Sequence, residues 1–343
     1  MMKKKFTVII SGIVLLVIAI ASIFSLVLFC YARLPIDRLG GPAVVVDIPN
    51  GAGFLQASNI LADTGLVRNR PLFFALARVK DATKKIRAGE YELSPQLSPS
   101  ELIDKLVRGE TMKHRATIIE DWSLRQIAAY LKERRLVDEE AFLKLAYDKE
   151  FLKAQGIEAD SAEGYLFPDT YFFERSMTPR MIMKSMIDRF EKKIPQEMID
   201  KAEARGLDRH ELVTFASLVG KEAANSAEKP LIAAVFHNRM KKKMPLQSDP
   251  TTVYDLNGFD GKILRSHYKR ESPYNTYLIR GLPPGPISNP GLDSFKAVID
   301  PEEADYLYFV ARGDGTHVFT DTLDEHNKAV AAVRKLSKDI PKD

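Results

Sequence analysis

Apolar and polar positions change period several times along this chain, and each change marks an element. Phe6 to Tyr31 contains no charged residue and is almost wholly apolar over 26 positions. A helix needs roughly 20 such residues to cross a bilayer, and a cleaved signal peptide has an apolar core of only about 7 to 15. The length therefore predicts an uncleaved membrane helix. Lys3, Lys4 and Lys5 precede it and only Arg33 follows closely. The positive-inside bias then predicts a cytoplasmic N-terminus, with residues 35–343 outside. Cys30 follows Phe29, where a lipoprotein signal would carry a small residue, so it reads as an apolar filler.

Pro35 to Pro42 (PIDRLGGP) is a linker of turn formers. Val44 to Ile48 reads as a strand stopped by Pro49-Asn50-Gly51, and Arg87 to Leu93 as a second strand. Phe54 to Thr64 has helical spacing, with Leu55, Ile60 and Leu61 apolar and Gly65 as the stop. Ser98-Pro99 starts another helix with Leu102, Ile103, Leu106 and Val107 as its stripe, and Gly109 ends it. An internal repeat follows at an offset of 70: ASNILADTGLV (57–67) aligns with IAAYLKERRLV (127–137). Each copy follows an apolar strand and a turn. Two copies make no solenoid, and duplication competes with two similar strand–turn–helix units. EGYLFPDTYFF (163–173) is dense in aromatic residues, which supply large buried area. Pro179 to Lys193 is an amphipathic helix with Met181, Ile182, Met186, Ile187 and Phe190 on one side. Tyr306–Ala311 and Thr316–Thr320 predict a hairpin.

Composition narrows the function. Lys plus Arg is 50 and Asp plus Glu 46. The four basic residues before position 35 account for the whole excess, so the body is neutral and shows no surplus for nucleic acid. The single cysteine excludes an intramolecular disulfide framework and a cysteine-rich zinc site. No HExxH, CxxC, GxGxxG or P-loop occurs.

The chemistry concentrates after residue 206. Asp208 to Ala223 (DRHELVTFASLVGKEA) predicts a helix on which Phe215, Leu218, Val219 and Glu222 fall at i, i+3, i+4 and i+7. A carboxyl on an apolar stripe is desolvated and its pKa rises, as a glycosidic general acid requires. The spacing alone leaves open a solvent-exposed Glu in a last helical turn. Asn225 to Glu228 resembles a capping box, and Asn238 then shares a face with Leu231, Ala234 and Val235. It is either a satisfied buried amide or a sugar-binding or acid-orienting one. Ser217 and Lys221 are four apart and could meet as a dyad, without a third group or oxyanion motif to support it. GLPPGPISNPG (281–291), with four Pro and three Gly, is a rigid loop suited to walling a cleft.

Together these segments resemble the endolytic murein transglycosylase (YceG-like) family. The resemblance rests on EGYLFPDTY (163–171), ASLVGKEA (216–223), FHNRM (236–240), LQSDPTTVY (246–254), SPYNTY (272–277), GLPPGPISNPG, YLYFVA (306–311), HVFT (317–320) and His326-Asn327. It implies a membrane-anchored α+β enzyme of the bacterial plasma membrane that cuts nascent peptidoglycan strands internally, with Glu222 catalytic. Its implied layout is an anchor (1–34), a linker (35–42), a LysM-like module (43–112), a scaffold region (113–205) and a catalytic core (206–343). Asn238, Gln247, Asp249, Tyr254, Tyr274 and Asn275 are the candidates for holding sugar or orienting the acid. Asp249 is the second-acid candidate if water is the nucleophile. No metal or cofactor is implied, and peptidoglycan synthases are implied as partners. Family members often carry another Glu two residues before the catalytic one, whereas this chain has Gly220. A hydrolytic muramidase and a non-enzymatic wall-binding scaffold are the rivals.

Overall fold

The structure, a computed structural model, describes residues 2–37, 39–259 and 261–339. Arg38 of the expected linker and residues 340–343 of the expected core lie outside the described residues. Contacts divide the chain into two compact units, residues 1–114 with 172–176, and 115–171 with 177–343.

The first unit begins with α1 (Met2–Arg33). Ile9–Arg33 is long and apolar enough to cross a membrane. A strand–helix–helix–strand–helix order follows: β1 (Val44–Ile48), α2 (Phe54–Asp63), α3 (Arg70–Val79), β2 (Gly89–Leu93) and α4 (Pro99–Arg108). The two strands are antiparallel, with Val46 opposite Tyr91 and Val44 opposite Leu93. Val46, Ile48, Tyr91 and Leu93 face the core, where Phe54, Leu61, Phe73, Ile103 and Leu106 meet them. On α2 the buried set is Phe54, Ala57, Ser58 and Leu61, while Leu55 is exposed. The helix thus presents the i, i+3, i+4, i+7 face that begins at Phe54, one position before the Leu55 expected to be part of it. Ser98 and Glu101 cap α4 reciprocally.

The second unit runs β3 (His114–Thr117, whose first residue counts with the first unit), α5 (Leu124–Glu133), α6 (Glu139–Ala146), α7 (Lys149–Ala154), β4 (Thr170–Phe173, shared in the same way) and α8 (Pro179–Lys193). Then follow α9 (Gln196–Glu203), α10 (Arg209–Glu222), α11 (Lys229–Lys241), α12 (Leu292–Ile299), β5 (Tyr308–Ala311), β6 (His317–Thr320) and α13 (Leu323–Asp339). β3 pairs with β4, and β5 pairs antiparallel with β6. On α8, Met183 joins Ile182, Met186, Ile187 and Phe190 in the core, and Met181 is exposed.

The offset of 70 holds in backbone geometry. Leu61 and Leu131 are fully buried, as are Leu66 and Leu136 nearly so. Leu66 N–H donates to the Leu61 carbonyl at 2.8 Å, and Leu136 N–H to that of Leu131 at 3.0 Å. Gly65 (φ 81°) and Arg135 (φ 57°) both end their helix in the left-handed region. The turns before the helices match too: Gly51 (φ 81°) corresponds to Asp121 (φ 64°).

α10 is the centre of the second unit. Asp208 and Glu211 form a reciprocal capping box at its start. Leu212 through Gly220 are all buried, so this helix has no solvent face along most of its length. It packs against α9, α11, α12 and the 3₁₀ turn Asp249–Thr252. The apolar surround explains why a carboxylate at its far end is desolvated.

Candidate active site

Glu222 closes α10 and lines a cavity of about 570 Å³ together with Arg239, Gln247, Asp249, Tyr277 and the inner face of the β5–β6 hairpin and α13. The Ser248 hydroxyl donates to its Oε1 at 2.6 Å, and the Asp249 backbone amide also donates to it. Burial pushes the Glu222 carboxyl up to about 7; the nearby Asp249 charge adds to the rise, and the Ser248 bond opposes it. The acid therefore keeps a substantial protonated fraction at neutral pH while holding a defined orientation.

Asp249 is fixed differently. Its Oδ1 accepts the Tyr277 hydroxyl at 2.5 Å and its Oδ2 the Tyr268 hydroxyl at 3.1 Å. The two rings meet edge to face, 4.7 Å between centroids. Two hydroxyl donors thus occupy both carboxylate oxygens and fix the orientation of Asp249 beside Glu222.

The loop holding these groups is tied down from several sides. Gln247 takes a left-handed backbone (φ 55°) and its amide N–H donates to the Thr276 carbonyl at 3.1 Å. Ser248 N–H donates to the Thr276 hydroxyl at 2.9 Å. Arg239 donates to the carbonyls of Leu307, Pro245 and Leu246 and to Gln247 Oε1, all within 3.1 Å. A guanidinium spending its hydrogens on carbonyls fixes the loop geometry.

Of the six expected sugar-holding residues, the structure brings Gln247 and Asp249 into the Glu222 cavity. Asn238 donates to the carbonyls of Ala304 and Tyr306 at 2.7 and 3.0 Å, beside a different cavity. Asn275 is fully buried; its amide donates to the carbonyls of His267, Tyr268 and Arg270 and so shapes the loop that presents Tyr268 and Tyr277. Tyr254 and Tyr274 pack ring on ring at 4.8 Å, and the Tyr254 hydroxyl donates to Glu163 at 3.0 Å. Ser217 and Lys221 form no dyad. Ser217 is buried, donates to the Thr214 carbonyl at 2.6 Å and accepts the Ile287 amide at 3.1 Å, which anchors the Pro-rich loop to α10. Lys221 is exposed.

Sequence reasoning passed over Ser248, Arg239, Tyr268, Tyr277 and Glu163. The first four lie in or beside quoted motifs, and only distance in space assigns them a role. Glu163 opens the aromatic run and is almost wholly buried. It accepts from Leu124 N–H, Asn289 Nδ2 and the Tyr254 hydroxyl, and burial pushes its carboxyl up to about 8. Asn289 in turn donates to the Trp122 carbonyl at 3.0 Å and accepts Leu166 N–H at 2.9 Å. Three segments thus converge on one buried carboxyl. Among the described residues no group of three or more His, Cys, Asp or Glu could hold a metal ion.

A carboxyl poised near neutrality, oriented by a hydroxyl and facing a polar cavity, is a general acid–base arrangement. The chain belongs to the YceG-like family, whose model matches residues 46–332. It is 33% identical over 311 residues to a Bacillus subtilis (strain 168) protein named endolytic murein transglycosylase, covering 86% of each. It is 31% identical to a protein of the same name from Streptococcus pneumoniae (strain D39), covering 87% of this chain and 60% of the relative. A crystal structure of a yceG-like protein from Listeria monocytogenes superposes with a TM-score of 0.58 at 33% identity, over 84% of this chain and 98% of that one.

Proposed function

We propose that this chain is a membrane-anchored endolytic lytic transglycosylase that cleaves MurNAc–GlcNAc β-1,4 bonds in nascent peptidoglycan. The observation that carries this reading is the unequal pair at the cavity. Glu222 is raised to about 7 and bonded to Ser248, whereas both oxygens of Asp249 are occupied by tyrosine hydroxyls. Glu222 donates its proton to the glycosidic oxygen as the C1–O4 bond breaks. Its carboxylate then takes the proton of the MurNAc C6 hydroxyl, whose oxygen closes on C1 as a 1,6-anhydro ring. No water is consumed, and Glu222 ends protonated as it began. Asp249 faces the developing positive charge at C1 as a fixed counter-charge and is not needed as a base.

The 25-residue apolar helix Ile9–Arg33 supports anchoring, and Lys3–Lys5 before it support a cytoplasmic N-terminus. Protease protection in vesicles tests that topology; digestion from the cytoplasmic side would reverse it. The strand–helix–helix–strand order over residues 44–93 supports the LysM-like reading of 43–112, with 113–205 as scaffold and 206–343 as core. Synthases that extend the strands are the implied partners, testable by crosslinking in membranes.

The deciding experiment incubates the full chain in detergent, and its Glu222→Gln form, with uncleaved glycan strands and weighs the products. Anhydro ends from the unaltered chain and none from the variant support the proposal. Reducing ends, one water heavier, would make the enzyme a hydrolase and move attention to Asp249. Binding without cleavage by either form would favour a wall-binding scaffold.

A further inference from the structure

The β5–β6 hairpin carries a histidine that the proposed reaction leaves unused. His317 opens β6, opposite Ala311 at the end of the ladder, and lines the cavity that holds Glu222. It is only 9% exposed. Both carboxylate oxygens of Glu228, at the end of the 3₁₀ turn Ser226–Glu228 after α10, engage it. Oε1 accepts the His317 backbone N–H at 3.0 Å, and Oε2 meets the ring Nδ1 at 2.7 Å. The same turn grips the hairpin tip: Asn225 Nδ2 donates to the Gly315 carbonyl at 2.7 Å, and Asn225 Oδ1 accepts Glu228 N–H at 3.2 Å. Phe309 meets the His317 ring edge to face, 5.4 Å between centroids, and Phe319 lies 6.1 Å away. One carboxylate and two aromatic side chains thus fix the ring.

A carboxylate only accepts, so Nδ1 carries the hydrogen of the bond to Glu228. In the neutral imidazole the other nitrogen, Nε2, is then an acceptor. No group among the described residues bonds to Nε2, and it is not among the unpaired polar atoms shielded from solvent. Its open side is the cavity that His317 lines. Other polar groups there are already committed: Arg239 to carbonyls and to Gln247 Oε1, and Asp249 to two tyrosine hydroxyls. His317 differs from them in being held at one nitrogen and free at the other.

We infer that His317 is a substrate-binding residue: Glu228 fixes its tautomer, and Nε2 accepts a hydrogen bond from a donor on the glycan bound beside Glu222. The inference rests on the reading of this cavity as the strand-cleaving site.

The test uses the full chain in detergent and uncleaved glycan strands. In the Glu222→Gln form, which should bind without cutting, nitrogen NMR above the ordinary titration range of histidine should show an unprotonated Nε2 at His317. Its resonance, assigned by its loss on adding His317→Gln, should move when strands are added. Glu228→Gln keeps the side-chain shape but has one oxygen. The His317 backbone N–H claims that oxygen, so the amide NH2 faces Nδ1 and the ring hydrogen moves to Nε2. KM should then rise about tenfold with kcat within about twofold, the mark of lost ground-state binding. His317→Gln should raise KM likewise and covers the case in which Glu228→Gln folds poorly; combining the two should add nothing further. A residue that only braces the hairpin would instead lower kcat through the active fraction at unchanged KM. An Nε2 resonance unmoved by strands, or an unchanged KM in both variants, would overturn the inference. Failure of the Glu222 reading is distinguishable, because Glu222→Gln would then still cut strands whatever KM does in the 228 and 317 variants.

Discussion

Residues 50–53 and 120–123 occupy the same place in two similar strand–turn–helix segments and have opposite contents. The first turn is Asn-Gly-Ala-Gly, mostly exposed, with no side-chain cap for the helix it starts. The second is Glu-Asp-Trp-Ser: Ser123 forms a capping box with Gln126, Glu120 fills the space over Gly291, and Asp121 that over Gly220. The strand, helix and left-handed helix end are alike in both. The two strand–turn–helix segments thus share a pattern of buried positions and differ in four turn residues. Packing constrains the helix face at Leu61 and Leu131 equally, whereas a turn is free to vary until something docks on it.

The sharpest break of that comparison is at the acid itself. Glu222→Gln should lower cleavage by about 10²–10⁴-fold, the usual span for losing a general acid–base group, with no loss of folding by circular dichroism. Retained activity would move the chemistry away from α10. Next comes the glycine beneath the second turn. Gly220→Ala should cost about 1–3 kcal/mol through overpacking against Asp121. Gly51→Ala meets no atom and should cost only the left-handed strain of about 1–2 kcal/mol. Equal melting temperatures with the Gly220 variant unstrained would erase the contrast.

The pH profile gives a finer pair. The Ser248 hydroxyl stabilises ionised Glu222, so Ser248→Ala should raise its pKa above about 7 and carry the alkaline limb upward. The Asp249 charge disfavours ionised Glu222, so Asp249→Asn should carry the limb downward. Shifts of the same sign in both variants would contradict the geometry. The smallest effect is at the helix ends: Arg135→Gly should stabilise by under about 1 kcal/mol, because φ 57° suits glycine. Gly65→Ala should destabilise by about 1–2 kcal/mol at the matching position.

Local pattern carried much of this architecture. The helix predicted over 208–223 spans Arg209–Glu222, that over 179–193 is unchanged, and β1 and the β5–β6 hairpin fall where alternation put them. These elements are fixed by contacts close in sequence and by one buried face. The same local spacing put Glu222 at the end of the apolar stripe and left its burial open; the family resemblance singled it out. Its partners were not, because Ser248 lies 26 residues away and Tyr277 acts through Asp249. Asn238 and Asn275 show the converse: a polar residue inside a motif can be spent wholly on backbone carbonyls.

The solvent-free run Leu212–Gly220 has a consequence for how this protein fails. Amides in a helix buried on every side exchange with deuterium only when the surrounding unit opens, so they belong to its last cooperative element to melt. The acid is attached to that element rather than to a fraying loop. Opening of the loop that carries Ser248 removes the acid's orienting bond, and once α10 opens, Glu222 loses its apolar surround as well. Heat inactivation should therefore come no later than global melting, leaving no half-folded population that still cuts.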